Sequence, residues 1–361
     1  MSFHGSYRTD DVQFLLQPLE LEPTPAALRE QLMQSGQRHY SELLPPESPP
    51  STAYLGHYEA ALRRNGPLMG RHIAALARTL YADQTLSPGP VLVSLARAGT
   101  PVGVLLRRAL KMLGVDGPHY SVSIIRDRGI DAVAMDHILE AHGPERLVFV
   151  DGWTGKGAIR KTLTEALSTY TTRRGITVPD RLLVLADLAG VADWAATEED
   201  YVIPSAILNA VVSGLVSRTV LNDAVIASGG FHGCRFYSEW APHDLSLAFV
   251  DTITDHVARS FEADAPLPAW TSARRLARHA VSEACIVEAM ARFDVEHLNR
   301  LKPGAGEATR AVLRRIPHRV VVRDPQDPEV AHLIHLCAEK QVPVERWPSM
   351  AWRALTVIKR S

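Results

Sequence analysis

The chain has 361 residues, 46% apolar and 22% charged, with a formal net charge of −1, ordinary values for a globular protein large enough for two or three cores. Its longer apolar runs, such as AILNAVVSGLV, are too short to span a bilayer. The start, MSFHGSYRTDDVQF, lacks the basic-then-apolar pattern of a secretory leader, so a cytoplasmic location is expected.

The first fifty residues show no regular period and end in LLPPESPPST, a Pro/Ser-rich loop signal, so 1–53 is expected as an N-terminal extension. From Tyr54 to Tyr81 apolar residues (Ile73, Leu76, Leu80) recur at helical spacing, and Gly66-Pro67 is expected to break that helix. The runs VLVSLA, YSVSII, RLVFVD, RLLVLAD and DYVIPSAI have strand length, and helical patterns such as VGVLLRRALKML and AIRKTLTEALSTY separate several of them. Their alternation predicts a parallel α/β sheet with helices on both faces over 54–264. FEADAPLPAWTS, with two prolines, reads as the linker to a compact αβα module over 272–361.

One segment carries most of the chemistry. In RLVFVDGWTGKGAIRKTL a buried strand ends in Asp151, and Gly152, Trp153, Thr154, Gly155, Lys156 and Gly157 lead through Ala158 into a helix. Glycines let several backbone N–H groups converge on one phosphate, and the helix N-terminus adds partial positive charge. A carboxylate at the strand end can accept from ribose hydroxyls. The spacing is neither a Walker A loop nor GxGxxG.

VFVDGWTGKGAI resembles the PRPP-binding signature of type I phosphoribosyltransferases, with Gly152 where that family keeps a second acid. The resemblance implies that Asp151 binds the ribose diol and that Thr154 through Ala158 bind the 5-phosphate of PRPP or a nucleoside 5-phosphate, with Mg²⁺ as cofactor. VLVSLARAGTPVG is similar to the family's pyrophosphate loop, which would place Arg97, Ala98, Gly99 and Thr100 at pyrophosphate. YSVSIIRDRGID lies where the family has a mobile basic flap, giving Arg126 and Arg128 a catalytic role at the leaving group. The strings SGQRHYSE, SLARAGTP, IPSAILNAVVSGLVSRT and HGCRFYSEWAPHDLS also resemble the phosphoribosyltransferase–Pelota fusions of tellurite- and stress-resistance operons, a family also labelled StiP cysteine proteases. The expected activity is PRPP-dependent phosphoribosyl transfer. A homodimer is a further expectation. Asn209, Ser213, Ser217, Arg218 and Thr219 would line an acceptor wall, while Asp187 reads equally as an acceptor contact or a helix cap.

Two alternatives stand beside the transferase: a cysteine protease, and a nucleotide-sensing RNA-binding adaptor without catalysis. Cys234 lies near His232 and His243, and Asp244, Asp223 or Asp251 could orient a histidine base. Cys285 and Cys337 fall on apolar helix faces and read as core. Three widely spaced cysteines imply reduced thiols.

The C-terminal module is basic: residues 266–361 hold 16 Lys+Arg and 10 Asp+Glu, a net of +6, against 23 and 30, a net of −7, before them. The string Lys302-Pro303-Gly304-Ala305-Gly306-Glu307-Ala308-Thr309-Arg310 resembles the kink-turn RNA-binding string of Pelota-like domains, with Gly306 in place of the family's Asn. By that resemblance Lys302, Gly304, Gly306, Glu307 and Arg310 bind structured RNA: the cations meet phosphates and Glu307 a guanine edge.

Overall fold

The computed structural model describes residues 2–222, 226, 229–263 and 267–359. The first unit runs β1 (Gln13–Leu15), β2 (Gln17–Pro18), α1 (Ala26–Gln34), α2 (Thr52–Ala82), β3 (Val91–Leu95), α3 (Thr100–Met112) and β4 (His119–Val122). It continues with a hairpin of β5 (Ile124–Ile125) and β6 (Gly129–Ile130), then α4 (Ala132–His142), β7 (Leu147–Thr154), α5 (Ala158–Arg174), β8 (Leu182–Asp187), β9 (Trp194–Thr197), β10 (Gly233–Cys234) and α6 (Ser246–Ala263).

Six strands form one parallel sheet in the order β1-β4-β3-β7-β8-β9. Every residue of β3 and β8 is buried, which is why both read as unbroken apolar runs. One face packs under α2, α3 and α6, the other under α4 and α5. The loops at the carboxyl edge (96–100, 123–131, 154–158, 188–193) therefore gather on one side, where open α/β sheets place their ligands.

The second unit follows α7 (Ser272–Arg292): β11 (Leu301–Pro303), α8 (Ala305–Arg314), β12 (Pro317–Val322), α9 (Ala331–Glu339), β13 (Val344–Arg346) and β14 (Ala354–Ile358). Its sheet runs β11-β14-β12-β13, with β14 antiparallel to both neighbours and β13 parallel to β12.

Several local expectations fail for identifiable reasons. The N-terminal stretch is no loose extension, because β1 completes the edge of the main sheet against β4. Pro67 lies inside an unbroken α2, whose packing along α6 outweighs the lost backbone bond. Tyr201–Ile203 form no strand; Pro204 starts a short 3₁₀ turn there, and the edge strand lies earlier, at Trp194–Thr197. Strand β7 runs on to Thr154 instead of ending at Asp151. Among the described residues no helix is long and apolar enough to cross a membrane.

Candidate functional site: a cleft closed by both units

Asp151 and Trp153 lie near the carboxyl end of β7, and Thr154 hands the chain to α5. The Thr154 hydroxyl accepts from the Gly157 N–H at 3.0 Å, shaping the turn. Ala98, Arg126, Asp151, Trp153, Thr154, Ala158, Glu307 and Arg310 surround a cavity of about 240 Å³. The structure thus brings both sets of sequence-expected residues to one place. The phosphate-type loop supplies the floor, and the RNA-type string the roof.

The contact is close. The Arg310 guanidinium stacks 4.6 Å over the Trp153 ring, and a side-chain carbon on Gly306 would stand 2.9 Å from that ring. This is a physical reason for glycine at 306: nothing larger fits over Trp153. A side-chain carbon on Gly155 would meet the Pro303 carbonyl at 2.2 Å and a Glu307 oxygen at 3.2 Å. Lys156 does not point into the cavity; its ammonium donates to the carbonyls of Leu298 and Leu301, latching the units. Asp200 accepts from the Ala305 and Arg353 N–H groups (2.8 and 2.6 Å). Glu329 accepts from the Val202 N–H, Asn65 and Arg64 (2.6, 2.9 and 2.7 Å). Gly304 lies against Leu188 and Asp200.

Burial pushes the Asp151 carboxyl up to about 7; the Gly152 N–H and Arg310 act against this, and Glu307 adds to it. Burial lowers the Lys156 ammonium to about 7. It likewise lowers Lys302, whose ammonium sits 3.5 Å from Glu307.

Other expected site residues are engaged elsewhere. The Arg97 side chain is turned from a pyrophosphate position into a buried pair with Glu47 (2.6 and 2.8 Å), and it also donates to the Val216 carbonyl. Sequence reading missed Glu47; its only signal was a lone acid in the Pro-rich PPESPP. Thr100 bonds Ser121 at the start of α3, beside Gly99. Arg128 pairs at the surface with Glu42 at 3.3 Å, whereas Arg126 from the same hairpin lines the cavity. Asp187 accepts from four successive backbone N–H groups, Ala189 to Ala192, so it shapes a loop. From the acceptor wall, Asn209 takes a bond from Arg314, and Arg218 and Thr219 border a neighbouring cavity. Asp151 and Glu307 are the carboxylates of the cleft, and no three metal-ligating side chains converge among the described residues. Gly152 adds no second acid beside Asp151.

The cysteines are all buried. Cys234 pairs through its backbone with β2, and burial pushes its thiol up to about 12. His232 bonds Ser123 through its ring and Asp131 through its N–H. Asp244 caps α6 by accepting from Ser246 N–H, and Asp251 pairs with Arg108 and Arg8. His243 is exposed, and Asp223 lies outside the described residues.

The fold and cleft define a parallel α/β unit with a strand–loop–helix site, roofed by a Pelota-type RNA-binding domain. Residues 280–360 match the PELOTA RNA binding domain, and residues 5–254 match the family described as tellurite-like stress resistance cysteine protease StiP. The chain belongs to that StiP family. It is 37% identical to the protein named cysteine protease StiP of Acinetobacter baylyi, an alignment covering 99% of this chain and 94% of the relative. The expectation of a phosphoribosyltransferase is corrected here, because this relative is named a protease. The structural likenesses are slight. A variant hypoxanthine phosphoribosyltransferase of Trypanosoma cruzi bound to its product IMP is 19% identical, with a TM-score of 0.27, over 36% of this chain and 68% of that one. Another structure of the hypoxanthine enzyme from the same organism is 15% identical, with a TM-score of 0.28, over 38% and 81%. Scores this low carry no argument about activity.

Proposed function

We propose that this chain serves its family's stress-resistance role as a nucleotide-responsive, RNA-binding adaptor. The cleft would take a nucleoside 5-phosphate, and the Pelota domain would carry recognition of structured RNA. The supporting observation is the convergence of Asp151, the Thr154–Ala158 turn at the start of α5, Arg126 and Arg310 around one cavity. In this reading the α5 N-terminus and the Arg126 and Arg310 cations hold the phosphate, and Asp151 accepts from the ribose hydroxyls. A Mg²⁺ ion would arrive on the phosphates of a ligand carrying more than one.

Calorimetric titration with a nucleoside 5-phosphate tests the assignment. Asp151→Ala is expected to weaken binding by about 1.5–3 kcal/mol, the range for a hydrogen bond to a charged group. Unchanged affinity removes Asp151 from the site.

The position of Asp151 also predicts a pH profile. Its folded-state value of about 7 lies above the ordinary carboxyl value, so between about pH 4 and 7 the folded chain holds a proton that the unfolded chain has lost. Its contribution makes stability fall as pH rises through that window. Ligand affinity should move oppositely, rising from pH 6 to 8 as the acceptor carboxylate forms next to Glu307, Arg310 and Arg126. Lys156 loses its charge near pH 7 and acts against the rise. The phosphate's own ionisation contributes to it too, so Asp151→Asn is the control and should show a smaller rise, the part that belongs to the phosphate.

Thiol-dependent peptide hydrolysis at Cys234 is a second reading, favoured by the names of the family and of its Acinetobacter relative. It requires the β2–β10 pair to open, since a neutral, buried thiol is a poor nucleophile. Iodoacetamide labelling followed by mass spectrometry separates the readings. The adaptor reading expects Cys234 to label only on unfolding. Rapid native labelling, with casein cleavage lost in Cys234→Ser, would establish the protease.

A further inference from the structure

Beside the cleft, across Glu307 and Arg310, lies a second cavity of about 310 Å³ at the junction of the two units. Ile124, Glu307 and Arg310 line both, so the two spaces meet at one wall. The first unit contributes Arg29, Tyr40 and Arg218, and the second Lys302, Arg310, Arg314 and Arg315. Glu307 is the one acidic side chain in this lining. Lys302 pairs with Glu307, which leaves Arg218, Arg310 and Arg314 with no carboxylate in this lining; buried cations in a space partly shielded from water favour an anion among them.

Nε of Arg310 and Nε of Arg314 are buried with no hydrogen-bond partner, although most buried polar groups find one. The far end of Arg314 is held by Asn209 at 3.2 Å, and its carbonyl accepts from Arg29 at 2.8 Å. Arg218 is fixed by the Tyr40 carbonyl at 3.0 Å and lies 4.9 Å over the Tyr40 ring. These guanidinium groups are thus oriented before any ligand arrives. Burial, with repulsion from neighbouring arginines, lowers Arg310 and Arg218 to about 10, although Glu47 acts against this at both. Met33, Pro45, Ile124 and Ile125 give the cavity an apolar side.

We propose that this cavity is a second phosphate subsite, so that the cleft's ligand is a nucleoside carrying phosphates at both ends, a 3′,5′-bisphosphate. The proposal rests on the nucleotide reading of the cleft. One phosphate occupies the Thr154–Ala158 turn, the ribose lies at Asp151, and the other phosphate passes Arg310 to reach Arg314 and Arg218. A site built from both units also gives a ligand a direct means of holding the Pelota domain in place.

The test is calorimetry on the full chain with three probes: adenosine 5′-monophosphate, adenosine 3′,5′-bisphosphate and tripolyphosphate. The bisphosphate is expected to bind at least tenfold more tightly than the monophosphate. Arg218→Gln and Arg314→Gln should each remove that gain while leaving monophosphate affinity unchanged. In the unaltered chain, tripolyphosphate should cost the bisphosphate more affinity than it costs the monophosphate, a readout that does not depend on either variant folding. If the monophosphate binds and the second phosphate adds nothing, or if the gain survives both substitutions and tripolyphosphate, this proposal is wrong and the cleft reading stands. If neither nucleotide binds, the cleft reading itself has failed and the subsite falls with it.

Discussion

Replacing Glu47 by alanine is expected to cost the fold about 3–5 kcal/mol, the range for removing one partner of a buried ion pair. Both side chains of the Glu47–Arg97 pair are 2% exposed, so water cannot take over the lost carboxylate. The stranded Arg97 guanidinium would also face Arg310 and Arg314, whose charges already oppose one another. A fall in melting temperature on the order of 10 °C should follow. Glu47→Gln retains the shape and one acceptor and should lose less. A melting temperature within a degree or two of the unaltered chain in both variants would show that the pair is dispensable.

The second large effect concerns RNA. Lys302, Gly304, Gly306, Glu307 and Arg310 lie at the inter-unit contact and not on an open face, so the docked arrangement covers the string expected to meet RNA. Asp200→Ala leaves the Ala305 and Arg353 N–H groups without their acceptor, at about 1–3 kcal/mol each. The docked state should weaken accordingly. Affinity of the full chain for a bent, structured RNA should then rise about tenfold or more, with the steep salt dependence of phosphate contacts. Unchanged affinity, with the melting temperature lowered, would mean that RNA binds on another face of the basic unit.

Much of the architecture was legible because buried parallel strands are written as apolar runs. VLVSL, LVFV and LLVLAD mark three neighbouring central strands directly. The loop after Asp151 was legible for a related reason: its small residues and following helix have few other uses. Local rules failed where tertiary contacts decide. Pro67 survives within α2 because α6 supports it, and Gln13–Leu15 becomes a strand only because β4 offers an edge. The site was half legible. The Gly-rich turn and the two resemblances singled out strings that line the cleft, but nothing in the chain order said that α8 would close over β7. Arg97 looked like an anion ligand because its partner, Glu47, lies 50 residues earlier in a proline-rich segment. Asp200 and Glu329 gave no signal, since carboxylates that accept interface N–H groups follow no sequence period.

The cysteines show the same limit. Cys234 has histidines nearby in sequence, yet the fold directs His232 to Ser123 and Asp131, and Asp244 and Asp251 to other partners. None of these bonds joins a histidine to Cys234.

Hydrogen exchange on the full chain, with and without saturating nucleoside 5-phosphate, tests the central claim most directly, because it reports the floor and the roof of the cleft together. A ligand in the cleft should slow exchange at Gly152–Ala158 and, in the same experiment, at Glu307–Arg310, with strands β12 and β13 unaffected. Protection confined to one of the two segments, or absent from both at a concentration where calorimetry shows binding, would contradict a site built by the two units.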